Sequence, residues 1–403
     1  MLTNRTTWPA ARPMMATALA LFVITIVIGI LNGLDLYEPD HDTLITHVHA
    51  GTLGWISLMV SAMALLAFGE GADTAKARRL GRFMIGAITL YVAAFWIGDR
   101  IWEDRIQRPI AGTLLLIMIV SFLVWMMRRR KAAPMTVPQL GILLSWVSLL
   151  VGAIFGIMLG LYIARGSVPG LPDDVASGFA ESHPPAMVIG FVILAGLALA
   201  EWGLRPQRTL AEDRSGKIQM WLVFTAGMLV NVAFVIGVED LLGPANLLQI
   251  VAVIMFVKRL WPQLKPSGWK GAGTGLYPRM GALMLVLNLG LLTYVVVQLL
   301  SGAVDVDNPT DEFMGLIIAF DHVFFIGVIT NIMFGMILMS GGGHGLTPMH
   351  RAVLWGINIG LVGFVVGLIT LEALPKQIFT PLMGTALLVG IASHLRKLTA
   401  RAG

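Results

Sequence analysis

Four histidines are the residues of this chain best suited to chemistry. They stand in the strings Thr46-His47-Val48-His49-Ala50-Gly51, Ser182-His183-Pro184-Pro185 and Phe320-Asp321-His322-Val323-Phe324-Phe325. His47 and His183 are 136 residues apart, and His183 and His322 are 139 apart. An ionisable group is costly inside a membrane, so its return at near-equal spacing points to one shared arrangement built from three corresponding helices. Imidazole is a frequent ligand of haem iron and of copper, which makes metal or haem binding the chemistry these residues suit.

The elements that must position them are membrane helices. The 403-residue chain is 57% hydrophobic and only 13% charged, with a mean hydropathy of +0.81. A soluble domain would carry far more charge, so the composition belongs to a polytopic membrane protein. The basic balance has a membrane explanation, because the basic residues gather in alternate loops, and nucleic acid is not implied. Cysteine is absent. That excludes disulfides, zinc-thiolate sites, iron–sulfur clusters and covalently attached c-type haem, leaving His, Met and carboxylates as ligands. The first apolar run, Met14 to Leu36, is long enough to span and lacks a small-residue cleavage site.

A helix needs about 20 apolar residues to cross the hydrocarbon core. Twelve segments qualify, near 13–35, 44–68, 81–102, 109–128, 138–164, 180–203, 217–238, 241–260, 278–300, 312–340, 351–372 and 378–395. They form an all-α single membrane domain over 1–403. If both termini are cytoplasmic, all but five of the 28 Lys and Arg residues fall on the inner side. The five are Arg100, Arg105, Arg108, Arg165 and Lys376, while outer loops such as Glu38 to Asp42 and Asp305 to Asp307 are acidic. The charge bias thus predicts cytoplasmic termini and an inner bacterial membrane. Segments 2, 6 and 10 then run from outside to inside, with their histidines towards the outer face.

Those three segments open three sets of four, approximately 13–131, 138–265 and 278–397. One alignment matches His47 with His183 and His49 with His322, and it superposes Gly54, Gly190 and Gly327. Glycine there would admit a neighbouring helix or a flat ligand. Residues i and i+2 lie about 200° apart on an α-helix. His47 and His49 should therefore point to two neighbouring sites, or one should support the other.

Twelve helices in three sets of four, with outer-side His on segments 2, 6 and 10, resemble the heme–copper oxidase subunit I superfamily. The local strings are similar to NnrS, a family of haem- and copper-associated membrane proteins linked to nitric oxide stress. The resemblance rests on His47-Val48-His49-Ala50-Gly51-Thr52-Leu53-Gly54, on Asp321-His322-Val323-Phe324-Phe325-Ile326-Gly327, and on Ser340-Gly341-Gly342-Gly343-His344-Gly345. It covers nearly the whole chain in layout and three short windows in motif. The chain departs from the oxidase pattern in two places: segment 7, Met220 to Val238, has no His, and segment 10 has one His where the pattern has two. A binuclear haem–copper centre and proton-pumping oxygen reduction are therefore not expected. What the resemblance implies is a haem b between His49 and His322, with His183 and His47 as a second site for copper or another haem.

Supporting residues have readings of two kinds. Arg100, Arg105, Arg108 and Arg165 could hold haem propionates, or could be neutralised locally by Asp99, Glu103 and Asp104. Asp321 could orient an imidazole or take up a proton, or be a neutral acid bonded to a neighbouring helix. By its place beside His322 it should serve a different His. Asn231, Asn246, Asn288 and Asn331 read as interhelical glue. The run Glu38 to Asp42 reads first as a solvated loop and second as a docking patch for a basic electron donor. His344, His350 and His394 read as interfacial residues at the inner end.

The expectation is an inner-membrane haem-b protein engaged in electron transfer or nitric oxide handling near the periplasmic face. Whether it is an enzyme stays open. It would draw electrons from quinol, a cytochrome or a partner membrane subunit. The rivals are a copper or haem carrier, and a non-catalytic sensor or assembly subunit.

Overall fold

The computed structural model describes residues 6–98, 105–130, 135–205, 213–304, 308–340 and 345–399. Twelve helices among them are long and apolar enough to cross a membrane. In chain order they are α1 (Trp8–Gly33), α2 (His41–Phe68), α3 (Thr74–Ile97), α4 (Gln107–Arg129), α5 (Val137–Arg165), α6 (Val175–Leu204), α7 (Arg214–Ile236), α8 (Glu239–Leu264), α9 (Gly273–Leu300), α10 (Asp311–Ser340), α11 (Pro348–Ile369) and α12 (Ala373–Thr399). No strand occurs among the described residues.

Their ends follow ordinary capping chemistry. Asp40, Asp73 and Asp213 accept from backbone amides at the starts of α2, α3 and α7, and Thr136 with Gln139 forms a capping box at the start of α5. Gly166 and Gly237 close α5 and α7 in the left-handed region.

Three helices form the centre. In α2, 94% of the apolar window is buried, and in α6 and α10 89%, whereas no other helix exceeds 56%. These are the histidine-bearing helices. The other nine surround them: α1 packs on α3 and α12, α3 on α4, α4 on α5, α5 on α7, α7 on α8, α8 on α9, and α11 on α12. Each central helix leans on its predecessor, α2 on α1, α6 on α5 and α10 on α9, and α10 touches both α2 and α6. Trp55 Nε1 donates to Thr330 Oγ1 at 3.1 Å, tying α2 to α10.

Each central helix also widens into a π-helix just past its histidine: Ala50–Ser57, Ala186–Val192 and Val323–Thr330. The onset falls three residues after His47 and His183 and one after His49 and His322. A π-helical turn shifts a carbonyl bond from four to five residues and re-aims the side chains before it, which is why such turns gather at functional sites. Hydroxyls satisfy carbonyls five residues back, Ser57 to Thr52 at 2.9 Å and Thr330 to Phe325 at 2.8 Å. In α6, Pro184 and Pro185 withhold two amides at the same place.

A buried polar cluster pins the opposite, basic end. Arg259 of α8 pairs with Glu201 of α6 and with Asp213, the residue that caps the start of α7, at 2.8 Å for the latter.

Candidate functional site

Every one of the four histidines has its Nδ1 within 2.9 Å of a backbone carbonyl. His47 meets Thr25 of α1 at 2.9 Å and His183 meets Gly152 of α5 at 2.8 Å. His49 and His322 meet the carbonyls four residues back on their own helices, Ile45 and Ile318, each at 2.8 Å. A carbonyl only accepts, so Nδ1 is the protonated nitrogen and Nε2 carries the lone pair. No Nε2 of the four has a partner among the described residues. An imidazole held through Nδ1 with Nε2 free is the arrangement of a metal-ligating histidine.

The contacts recur along the sequence alignment. His47 lies against Gly29, where a Cβ would come within 3.2 Å of its Cε1; His183 lies against Gly156, with the same distance 2.7 Å. Each glycine stands four residues beyond the carbonyl that holds the ring. In the third set the matching ring is Phe320, and the matching positions on α9 are Asn288 and Leu292. Asn288 Nδ2 donates to the Phe320 carbonyl at 2.7 Å, as Thr25 Oγ1 donates to the His47 carbonyl at 3.1 Å. Leu292 is buried where Gly29 and Gly156 leave room for imidazole. Gly54 and Gly190 face the preceding helix, against Leu21 and Ser148, and Gly327 lies between Met284 of the preceding helix and Leu361 of α11, so all three serve helix approach.

The histidines face one another across helices. His47 and His322 have ring centroids 6.5 Å apart and planes 27° from parallel. That is too far for ring contact. Two imidazoles bound end-on to one metal, each at about 2 Å, would hold their centroids about 6 Å apart. Phe364 of α11 packs beside His322 at 5.0 Å. His49 turns the other way, stacked on Phe95 of α3 at 4.0 Å and within electrostatic reach of His183 and Arg108. The 200° separation along α2 does divide His47 from His49. The partners differ from the expected ones: His322 lies by His47 rather than His49, and His183 is in reach of His49. The reason is that α10 approaches the face of α2 that also meets α1, where His47 projects.

A charged lid covers the His49 side. Arg108 pairs with Asp42, both nearly fully buried, and Arg105 adds a second contact to Asp42 at 3.5 Å. The Arg108 guanidinium lies 4.9 Å over the Phe95 ring that stacks on His49. Gly98 makes the lid possible, because its φ is +55° and a Cβ there would collide with the Asp42 carboxylate. Asp42 belongs to the acidic run read as a solvated loop; instead α2 begins at His41 and carries Asp42 inward. Its carboxylate is the partner of Arg105 and Arg108, whereas Asp99, Arg100, Glu103 and Asp104 lie outside the described residues. Arg108 Nε makes no hydrogen bond, leaving one donor aimed past Asp42. Arg165 is exposed at the end of α5.

Other expectations resolve individually. Asp321 makes no hydrogen bond or ion pair with described residues and so orients none of the four rings. Asn246, Asn288 and Asn331 do bridge helices, but both polar atoms of the Asn231 side chain lack a partner. His344 and Asp305 to Asp307 lie outside the described residues. Among the described residues no three His, Asp or Glu side chains converge as a metal-binding group. A pair of imidazoles is the donor set on offer, and that set suits haem iron, which needs only axial ligands from the protein. Thr25, Gly29, Gly152 and Gly156 escaped the sequence reading; their common spacing in the helices before each histidine was the available signal.

No protein-family model matches the chain, and no curated protein matches it.

Proposed function

We propose that this chain is a haem-b-binding membrane protein in which His47 of α2 and His322 of α10 would hold the haem iron. His49 and His183 form the corresponding second position, for another haem or a copper ion. The observation that carries this reading is the fourfold Nδ1–carbonyl bonding, which presents four Nε2 lone pairs in a repeating frame. The frame supports a pseudo-threefold origin with two ligand pairs retained and the third position filled by Pro185 and Phe320. The role that fits is electron transfer or nitric oxide handling near the outer face of a bacterial inner membrane, in a protein related to the NnrS family with both termini cytoplasmic. Electrons would come from quinol, a cytochrome or a partner subunit.

The residues have distinct tasks in this reading. Thr25, Gly152, Ile45 and Ile318 hold the Nδ1 protons and so keep each Nε2 basic. Gly29 and Gly156 let two of the rings lie against the preceding helix. Arg108, fixed by Asp42, supplies positive charge beside His49 and one guanidinium nitrogen for an anionic haem substituent. A bound haem would supply a one-electron couple, and holding its iron with two imidazoles would favour electron transfer.

The test is the reduced-minus-oxidised spectrum of protein purified with haem supplied, with metal analysis. A sharp reduced α-band that is lost in both His322→Ala and His47→Ala is expected. Nitric oxide added to the reduced protein then reports whether the His49–His183 position is open. A colourless, folded protein holding copper would replace this reading with the carrier one.

A further inference from the structure

Far from the histidines, at the basic end, a cavity of about 460 Å³ opens between α1 and α3. Its lining combines three arginines, Arg12, Arg78 and Arg82, with Trp8 and Ile85. Helical spacing brings them together: Trp8 and Arg12 are one turn apart on α1, as are Arg78 and Arg82 on α3, with Ile85 continuing that face. Gly81 sets the floor, since a Cβ there would lie 3.2 Å from Met14 Sδ and 3.3 Å from the Ala10 carbonyl. The two helices therefore meet closely beneath the cleft while their charged side chains line its mouth.

Among the described residues, the three guanidinium groups have no anionic partner. None makes an ion pair or hydrogen bond with described residues. The nearby Asp73 carboxylate is committed to the amides of Ala75 and Lys76 and to the Lys76 ammonium. Three cations around one cleft repel one another unless an anion sits among them. Both helices are peripheral, each burying 44% of its apolar window, and α3 exposes Leu90 and Trp96 outward. The cleft thus faces the lipid rather than the protein interior. Arginine matches phosphate oxygens bidentately, and tryptophan favours the headgroup level of a bilayer.

We propose that this cleft binds the phosphodiester headgroup of an anionic phospholipid. Trp8 and Ile85 lie against its glycerol and upper acyl region, while Arg12, Arg78 and Arg82 hold the phosphate. A free phosphate ion would use the same guanidinium groups but gain nothing from the apolar walls.

Delipidated protein in neutral detergent tests this by native mass spectrometry with added phosphatidylglycerol or phosphatidylcholine. Wild type should prefer phosphatidylglycerol. Each of Arg12→Gln, Arg78→Gln and Arg82→Gln should lower that preference by about fivefold, and the triple variant by about a hundredfold. Arg79→Gln, exposed on α3 but outside the cleft, should leave it unchanged. Equal binding of both lipids by wild type, an undiminished preference in folded single variants, or an equal loss in Arg79→Gln would overturn the proposal. So would displacement of phosphatidylglycerol by millimolar inorganic phosphate, which would assign the cleft to a free anion.

Discussion

Two pairs of near-parallel imidazoles occur among the described residues, at opposite ends, and their rings are held in different ways. His47 and His322 stand 6.5 Å apart with planes at 27°. His350 and His394 stand 6.1 Å apart with planes at 7°. By ring geometry alone the second pair looks as good as the first. The difference lies in what holds each ring. His47 and His322 each spend Nδ1 on a carbonyl and keep Nε2 free. His350 spends Nδ1 on the capping hydroxyl of Thr347 at 3.1 Å and has Nε2 3.4 Å from Ser393 Oγ. His394 is 1% exposed and neither of its nitrogens has a partner. Lys397 lies nearby, a poor neighbour for a cation. Proximity of rings is cheap in a packed bundle; a fixed tautomer with an open lone pair is the feature that marks a ligand.

The contrast breaks first at the glycines that seat the rings. Gly29→Leu should push His47 off its carbonyl, and Gly156→Leu should do the same to His183, each lowering haem or metal affinity about 10–100-fold. Gly86→Leu, with open space around its Cβ position, should leave ligand binding intact. His350→Ala should also leave the haem spectrum intact. Ligand titration of the four variants, followed by optical spectroscopy, measures this. Spectral loss in His350→Ala with retention in Gly29→Leu would reverse the assignment of the two ends.

Much of this frame was legible in the sequence. Twelve apolar runs and their short loops gave the helices, because a membrane span has a length rule that few other elements share. The alignment of His47 with His183 and His49 with His322 also sorts the rings by how they are held, the first two on the preceding helix and the second two on their own. Pairing across helices was not legible. Whether His322 approaches His47 or His49 depends on how α10 packs against α2, and no single-helix periodicity contains that angle. The π-helices were equally hidden: their onset is set by Pro184 and Pro185 in α6 but has no such local mark in α2 or α10. Asp42 was misread because an acidic run beside a span is usually solvated, and only its meeting with Arg108 draws it inward.

The opposite end sharpens the comparison through His394. A buried polar group with no partner carries a desolvation cost of about 1–3 kcal/mol. His394→Leu removes that cost and forfeits the edge contact with Phe334, 4.6 Å away, which is worth about 0.5–1.5 kcal/mol. The variant should be more stable than wild type by about 1 kcal/mol in detergent unfolding, with an unchanged haem spectrum. A loss of stability together with a loss of bound metal would make the second pair a site as well.

The smallest effect belongs to the basic end's ion cluster, which should act on stability alone. Burial works to raise the pKa of Asp213, but bonds from Arg259, the Gly216 amide and Ser215 outweigh it and hold the carboxyl at about 2. A free aspartate titrates at about 3.9. Because the folded-state value is the lower one, the carboxylate's contribution is complete above pH 4 and is lost as pH falls through about 2. Asp213→Asn should therefore lower the unfolding free energy at pH 7 by a small, salt-sensitive amount, about 1 kcal/mol for this partly buried pair. The gap between variant and wild type should close as the pH approaches 2. Its absorption spectrum should match wild type at pH 7, because nothing in this cluster touches the imidazoles at the other end. A spectral change at neutral pH would mean that the two ends are coupled through α6, the central helix that carries both Glu201 and His183.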